Sequence, residues 1–197
     1  MSDYNIIKRT IQNEGGYINN KADKGGETYC GISRVYNPTW NGWFSLDKIK
    51  DKNQAYKDGF LYDEVIAFYY DKYFKKMKLE KIANQDLRAC VFDFCVNSGQ
   101  AVKVIQQMLN TKYRANLITD NIFGEQIAFT LNRIPNQTEL NNNIVDARKQ
   151  YITNQTKNGA ISPIFLQGLL KRAENYRITK INSLFEEFIN FFKRLFS

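Results

Sequence analysis

The sequence predicts a mainly helical α+β fold with one small β-hairpin near the N-terminus. Apolar residues recur at helical spacing along most of the chain, a Gly-rich stretch near the start interrupts that spacing, and no repeat or low-complexity block follows. The chain has 197 residues, of which 43% are hydrophobic and 14% aromatic. That is enough apolar mass to bury a core without a metal or a disulfide.

The first elements are a helix and the hairpin. Ser2 is a suitable N-cap for a helix that runs to about Asn13 and ends before a Gly-Gly pair. Tyr4, Ile7 and Ile11 share one face of that helix. Extended runs at 17–19 and 28–32 then flank a polar, Gly-rich turn, which is typical of a β-hairpin.

An ordered loop is predicted next, over residues 36–47, which contain Pro, Gly and two Trp. From Asp63 onward the helical spacing dominates. It predicts helices over about 63–77, 85–96 and 100–110, one that opens near Gly124, one over 138–156, and one that opens at Ser162-Pro163.

The charge balance is strongly basic, with 28 Lys and Arg against 20 Asp and Glu, and most of the excess follows Asn97. Such a field favours an anionic partner, which is nucleic acid, a lipid surface or an anionic wall polymer. The chain has no histidine, which excludes Ser-His-Asp and Cys-His catalysis and disfavours a zinc site. The three cysteines, an odd number, are interpreted as small apolar side chains and not as a disulfide framework.

The two ends of the chain carry separate predictions. The N-terminus lacks the apolar segment of a secretory signal peptide. Residues 181–197 are predicted to form an amphipathic helix with two adjacent apolar rows, too short to span a bilayer. Three interpretations of this helix stay open: it packs back on the domain, lies on a membrane surface, or mediates self-association.

The stretch from Glu14 to Ser33 concentrates the residues suited to catalysis. Glu14 is predicted at the C-terminal end of the first helix, where the helix dipole and partial burial disfavour the ionised carboxylate that a general acid must avoid. Asp23 lies in the polar turn and is expected to stay ionised, and two carboxylates in such different environments are typical of a glycosidase. Thr28 is suited to hold a water from the opposite side of a cleft. The structural alternative is that Glu14 ends a helix and Asp23 makes an Asx-turn.

This stretch resembles the signature of glycoside hydrolase family 108, which comprises phage-type endolysins and secretion-associated muramidases with a lysozyme-like core. The family pattern is Glu-Gly-Gly-Tyr, then Asn, then Asp-x-Gly-Gly-x-Thr, then Gly-Ile-Ser or Thr. The chain matches it at Glu14, Gly15, Gly16, Tyr17, Asn19, Asp23, Gly25, Gly26, Thr28, Gly31, Ile32 and Ser33.

The resemblance extends over about residues 3–177. Residues 92–99 are similar to the helix–turn segment that opens the second part of these proteins, and 120–124 are similar to an Asp-Gly-x-x-Gly element with Asn121 in place of Gly. Residues 165–172 are similar to a Phe-Leu-x-Gly-Trp-x-x-Arg ending. Leu169 replaces its Trp, which weakens a sugar-stacking role there.

The resemblance implies hydrolysis of the β-1,4 bond between N-acetylmuramic acid and N-acetylglucosamine in peptidoglycan, without a metal or cofactor. Glu14 would protonate the leaving oxygen, and Asp23 would stabilise the oxocarbenium-like transition state or orient a water that Thr28 helps to place. Similarity to phage lysozymes favours inversion. Substrate contacts are expected at Tyr17, Trp40, Trp43 and Asn97, whose structural alternatives are packing for the aromatic residues and a helix C-cap for the asparagine.

Three segments are expected: a catalytic lobe over 1–97, a helical second lobe over 98–180 that resembles a peptidoglycan-binding part, and the C-terminal helix. The expected partner is the glycan strand of peptidoglycan and not nucleic acid, since no nucleic-acid-binding motif is present. The protein is expected to be made in the cytoplasm and to act on the wall after release or secretion. Two alternatives stay open: a lytic transglycosylase that forms 1,6-anhydro products, and a non-catalytic protein that binds the wall or nucleic acid.

Overall fold

The computed structural model describes residues 2–20 and 25–179, without the side chains of Tyr56 and Lys57. Two predictions therefore lie outside the described residues. One is the placement of Asp23, and the other is the amphipathic helix over 181–197.

The chain begins with helix α1 (Asp3–Ile11). The Ser2 side chain accepts a hydrogen bond from the Asn5 backbone N–H at 3.3 Å, which confirms the predicted N-cap. Ile6, Ile7 and Ile11 are buried, so this face of α1 packs on the core.

A three-stranded antiparallel sheet follows, with β1 (Tyr17–Asn19), β2 (Glu27–Tyr29) and β3 (Ile32–Ser33) in that order. The prediction of one extended run over 28–32 is wrong, because the chain turns tightly at Cys30 and Gly31. Their φ angles are +46° and +75°. Positive φ at both central residues is what a two-residue hairpin turn of type I′ requires.

The rest of the described chain is mostly helical. Part of the predicted loop at 36–47 belongs to a helix, because the chain becomes helical at Gly42. Helix α3 (Gly59–Tyr69) continues into a π-helical segment, Tyr70–Lys75, and α8 (Leu166–Glu174) is preceded by a 3₁₀ turn, Pro163–Phe165. The α-helices are α2 (Gly42–Lys48), α3 (Gly59–Tyr69), α4 (Gln85–Asn97), α5 (Ala101–Tyr113), α6 (Glu125–Arg133), α7 (Gln137–Lys157) and α8 (Leu166–Glu174).

Helix α4 lies at the centre of the molecule. It packs against α1, α5 and α7, while α7 also packs against α8. Residues 89–95 of α4 are all buried, including Asp93. A helix covered on most sides is expected to be apolar around its circumference, so a carboxylate inside it needs partners.

Other sequence expectations can be compared with the described residues. Cys30, Cys90 and Cys95 are buried and free, as their interpretation as small apolar side chains predicted. Within residues 2–20 and 25–179, no helix is long and apolar enough to cross a membrane.

Candidate active site

Glu14 lies just beyond the C-terminal end of α1, as its sequence context predicted. Its backbone N–H donates to the Ile11 carbonyl at 2.9 Å, so it still belongs to the last turn. Gly15 follows with a φ of +79°, a conformation that favours glycine and redirects the chain toward β1. The Glu14 side chain is 19% exposed, so the carboxylate is largely buried but reaches the surface.

One side of Glu14 is shaped by the turn between β2 and β3. A Cβ atom on Gly31 would lie 2.8 Å from Glu14 Oε2 and 2.6 Å from the Tyr69 hydroxyl oxygen, so only glycine fits. The Tyr69 hydroxyl donates to the Cys30 carbonyl at 2.7 Å. Burial, and secondly the nearby Glu14, raise the pKa of Tyr69, which keeps that hydroxyl a donor.

Charged groups hold the other side of Glu14. Arg172 on α8 donates from Nη2 to Glu14 Oε1 at 2.6 Å and to Asp93 Oδ1 at 2.8 Å. Its Nε donates to Asp93 Oδ2 at 3.0 Å. Arg148 on α7 donates from Nη1 to the same oxygen at 2.8 Å. We call Asp93, Arg148 and Arg172 the Asp93 network.

The Asp93 network is buried yet charged. Burial by itself raises the pKa of Asp93, but the hydrogen bonds and positive charges of Arg172 and Arg148 outweigh it and hold the pKa below its usual range. Burial by itself lowers the pKa of Arg172. The hydrogen bonds and charges of Asp93, and then of Glu14, outweigh burial and raise the pKa above its usual value. Since Asp93 and Arg148 are both fully buried, each depends on the other for its charge to be tolerated.

Asn13 and Asn97 extend this network to the surface. The Asn97 amide oxygen accepts from Arg148 Nη2 at 3.1 Å, and the Asn13 amide donates to Asp93 at 3.3 Å. Together with Arg172, both asparagines line an open cavity of about 800 Å³, whose other wall is formed by residues in 160–175. Arg172 thus borders this cavity and also binds Glu14.

Residues 7–99, which include Glu14, match the family described as glycosyl hydrolase 108. The chain carries a glycosyl hydrolase 108 domain. This domain makes the protein a glycoside hydrolase, and the family indicates a peptidoglycan hydrolase of the muramidase type. No curated protein sequence matches the chain.

Among solved structures, the chain is similar to SagA of Brucella abortus. The two share 18% sequence identity with a TM-score of 0.52, over 90% of this chain and 96% of SagA. A similarity at this level of identity concerns the fold. It confirms the predicted mainly helical, lysozyme-like architecture.

Two predicted residues of the glycosyl hydrolase 108 domain lie on its hairpin. The Tyr17 hydroxyl donates to Glu27 at 2.9 Å, and Glu27 also pairs with Lys52 and Arg34 at 2.6 and 2.8 Å. Burial by itself raises the pKa of Glu27, but the hydrogen bonds and charges of these partners outweigh burial and lower the pKa below its usual value. Tyr17 is thus anchored within the hairpin. The Thr28 hydroxyl donates to the Gly26 carbonyl at 3.3 Å, in the partly exposed part of β2.

The two tryptophans belong to an aromatic cluster. Trp43 is 5% exposed, and its indole N–H donates to the Asn37 carbonyl at 2.7 Å. Trp40 is half-buried and packs edge-on against Trp43 at 4.8 Å between ring centroids. The start of α2 turns the Trp43 ring into the core, which favours the packing alternative for this residue. The sugar contacts at Trp40 and Trp43 stay predictions.

Asp93, Arg148 and Arg172 were missed as site residues from sequence. Asp93 had a visible signal, since it is the single charged residue in the run Val91 to Val96. Arg172 ends the motif over 165–172, but nothing local connects it to Glu14. Among the residues that the structure describes, no group of His, Cys, Asp and Glu is arranged to hold a metal ion.

Proposed function

We propose that this protein is an N-acetylmuramidase that hydrolyses the β-1,4 bond between N-acetylmuramic acid and N-acetylglucosamine, with Glu14 as the general acid. The observation that carries the proposal is the placement of Glu14 within the glycosyl hydrolase 108 domain. Its carboxylate is largely buried, fitted against Gly31 on one side and paired with Arg172 on the other. Two independent constraints on one carboxylate are typical of a group whose position matters for chemistry.

In the proposed reaction, Glu14 transfers a proton to the glycosidic oxygen as the bond from that oxygen to the anomeric carbon breaks. A water attacks the anomeric carbon from the opposite face and gives up a proton to Asp23. Thr28 helps to place this water. An inverting reaction needs roughly 6.5–9.5 Å between the two carboxyl groups, which leaves room for the water.

Arg172 has a defined place in this mechanism. A general acid must present its carboxyl group to the glycosidic oxygen, whereas Arg172 Nη2 binds Glu14 Oε1 at 2.6 Å in this structure. The Arg172–Glu14 bond must therefore open when the glycosidic oxygen approaches. Arg172 keeps its hydrogen bonds to Asp93 when this happens, so its charge stays paired.

The proposed partner is the glycan strand of peptidoglycan, and the excess of eight positive charges supports attraction to this anionic polymer. The endolysin-like and secretion-associated roles use the same reaction. In either role the protein would reach the wall after synthesis in the cytoplasm.

The deciding experiment digests purified peptidoglycan and identifies the new ends by mass spectrometry. We expect reducing N-acetylmuramic acid ends from the wild type, and a rate at least about 10²-fold lower for Glu14→Gln, the scale of a lost general acid. Glu80→Gln, which changes an exposed carboxylate, is the matched control and should retain full activity.

Each other outcome replaces part of the proposal. 1,6-Anhydro ends would identify a lytic transglycosylase, for which Asp23 and Thr28 are dispensable. Reducing N-acetylglucosamine ends would move the cleavage to the other glycosidic bond. Binding without cleavage would make the protein a wall-binding module, and full activity of Glu14→Gln would remove Glu14 from the mechanism.

A further inference from the structure

A second cavity, of about 420 Å³, lies between the π-helical segment and the start of the second predicted lobe. We call it the Lys72 pocket. Its walls combine cationic, polar and apolar groups, among them Lys72, Tyr73, Lys76, Ser98, Asn121 and Phe123. A π-helical turn inside a longer helix is frequently found at a functional site, because it rearranges which side chains share a face.

The Lys72 pocket adjoins the surroundings of Glu14. Tyr73 lines the pocket, and its ring stacks on that of Tyr69 at 5.8 Å between centroids. Tyr69 in turn contacts the turn against which Glu14 fits. Burial, and secondly the Glu14 charge, raise the pKa of Tyr73.

The pocket also reaches the segment that follows the hairpin. Lys72 donates from Nζ to the Asn37 side-chain oxygen at 2.7 Å. Asn37 follows β3 closely, so Lys72 connects the hairpin side of the molecule to the pocket. An ammonium group has three N–H donors, and this bond uses one of them.

The charges of the pocket are unbalanced. Lys72 and Lys76 are four residues apart and both line it, and burial followed by the charge of Lys76 lowers the pKa of Lys72. None of the described lining residues carries a carboxylate. The Asn121 amide is already bonded to the Gly99 carbonyl and the Lys103 N–H. The two ammonium groups are the charged groups of the described lining, and they favour an anion.

We propose that the Lys72 pocket binds a carboxylate of the peptide stem that N-acetylmuramic acid carries. The inference rests on the proposed function, since it names a further part of the same substrate. Met77, Val102 and Phe123 give the pocket apolar walls beside the two lysines. A short peptide that presents both alkyl groups and a carboxylate fits this combination better than a bare inorganic anion does.

The test measures binding separately from cleavage. Peptidoglycan from one preparation is divided, and an amidase removes the stems from one half. Binding to both polymers is measured by sedimentation on ice, with all variants made in the Glu14→Gln background. Lys72→Gln, Lys76→Gln and their combination are compared with Lys75→Gln, which changes an exposed lysine of the same segment that does not line the pocket.

We expect each pocket substitution to weaken binding to stem-bearing strands by roughly three- to tenfold, the scale of a charged hydrogen bond at a partly exposed site. Binding to stem-free strands, and all binding by Lys75→Gln, should stay unchanged. High salt should reduce the difference between the two polymers, because it screens exposed charges.

Equal losses on both polymers would overturn the proposal, since the lysines would then contact the sugar backbone or the lactyl carboxylate that amidase treatment exposes. No loss on either polymer would also overturn it. Thermal melting of each variant shows whether the fold is intact. Binding is measured without catalysis. The binding results can therefore be interpreted even if the protein does not cleave the β-1,4 bond.

Discussion

Glu14 is held by two regions of the molecule that act in different ways. On the hairpin side the constraint is shape, because the Gly31 turn and the Tyr69 hydroxyl leave no room for even one additional carbon atom. On the helical side the constraint is charge, because Arg172 connects Glu14 to the buried Asp93. The first region should therefore be sensitive to side-chain volume, and the second to the loss of a charge at constant volume.

The largest effect is expected from Asp93→Asn, which preserves volume and removes the charge. It leaves the fully buried Arg148 without its counter-ion, and breaking such a pair costs about 3–5 kcal/mol of unfolding free energy. Urea denaturation measures this loss. Asp146→Asn, which breaks the more exposed pair with Arg177, is the control and should cost at most about 1 kcal/mol. Similar costs for the two variants would contradict the assignment of charge as the constraint.

The same variant has a pH signature. The pKa of Asp93 is lowered in the folded protein, so its charge contributes stability above the unfolded pKa of about 3.9, and that contribution is lost as the pH falls through the folded value. The gap in unfolding free energy between the wild type and Asp93→Asn should thus be constant from pH 7 to about 5 and narrow below about pH 4. A difference in unfolding free energy that widens in acid would contradict a lowered pKa of Asp93 in the folded protein.

Gly31→Ala tests the shape constraint and is expected to have the next largest effect. Positive φ costs an L-residue roughly 1–2 kcal/mol, and the clash with Glu14 and Tyr69 adds to it. Gly15→Ala is the matched control, since its φ is similar but no atom lies within 4 Å of the added carbon. We expect both to lose stability, but only Gly31→Ala to lose most of its peptidoglycan hydrolysis. Equal activities in the two variants would show that strain alone is responsible.

Among Asp93→Asn, Gly31→Ala and Arg172→Lys, the last should have the smallest effect. It keeps the positive charge but removes the planar guanidinium group. Lysine has no planar pair of donors with which to bind both carboxylates as Arg172 does. We expect kcat to fall roughly tenfold with little change in KM, and the unfolding free energy to fall by about 1–2 kcal/mol. Wild-type kcat would show that Arg172 supports only the fold. Arg177→Lys, on the surface beyond the same helix, controls for the substitution itself.

The parts of the fold that follow from local patterns were predictable. Helices α4, α5 and α7 begin and end within a few residues of the predicted bounds, because their apolar residues recur at helical spacing. Helix α2 was missed because Trp, Gly and Asn at its start are typical of loops. The second hairpin turn was missed because Cys-Gly is an uncommon pair for a turn that usually contains Asn-Gly.

The candidate site was predictable only in part. The position of Glu14 follows from its helix and the glycines beside it, which are neighbours in sequence. Its partner Arg172 is 158 residues away, and Asp93 is 79 residues from Arg172. The packing of α7 and α8 brings these groups together. The residue spacing within a single helix cannot predict such contacts between distant parts of the chain. The burial of Trp43 likewise depends on α2 docking on α3.

The large sequence separation between Glu14 and Arg172 also affects where the chain can be truncated. The segment that matches the glycosyl hydrolase 108 family ends at residue 99, whereas both arginines of the Asp93 network lie beyond it. A fragment ended there would keep the acid and the buried aspartate but lose their counter-charges. The region that matches the family is therefore smaller than the unit that holds Glu14 and Asp93 in their ion pairs, and a fragment that preserves these pairs must include α7 and α8.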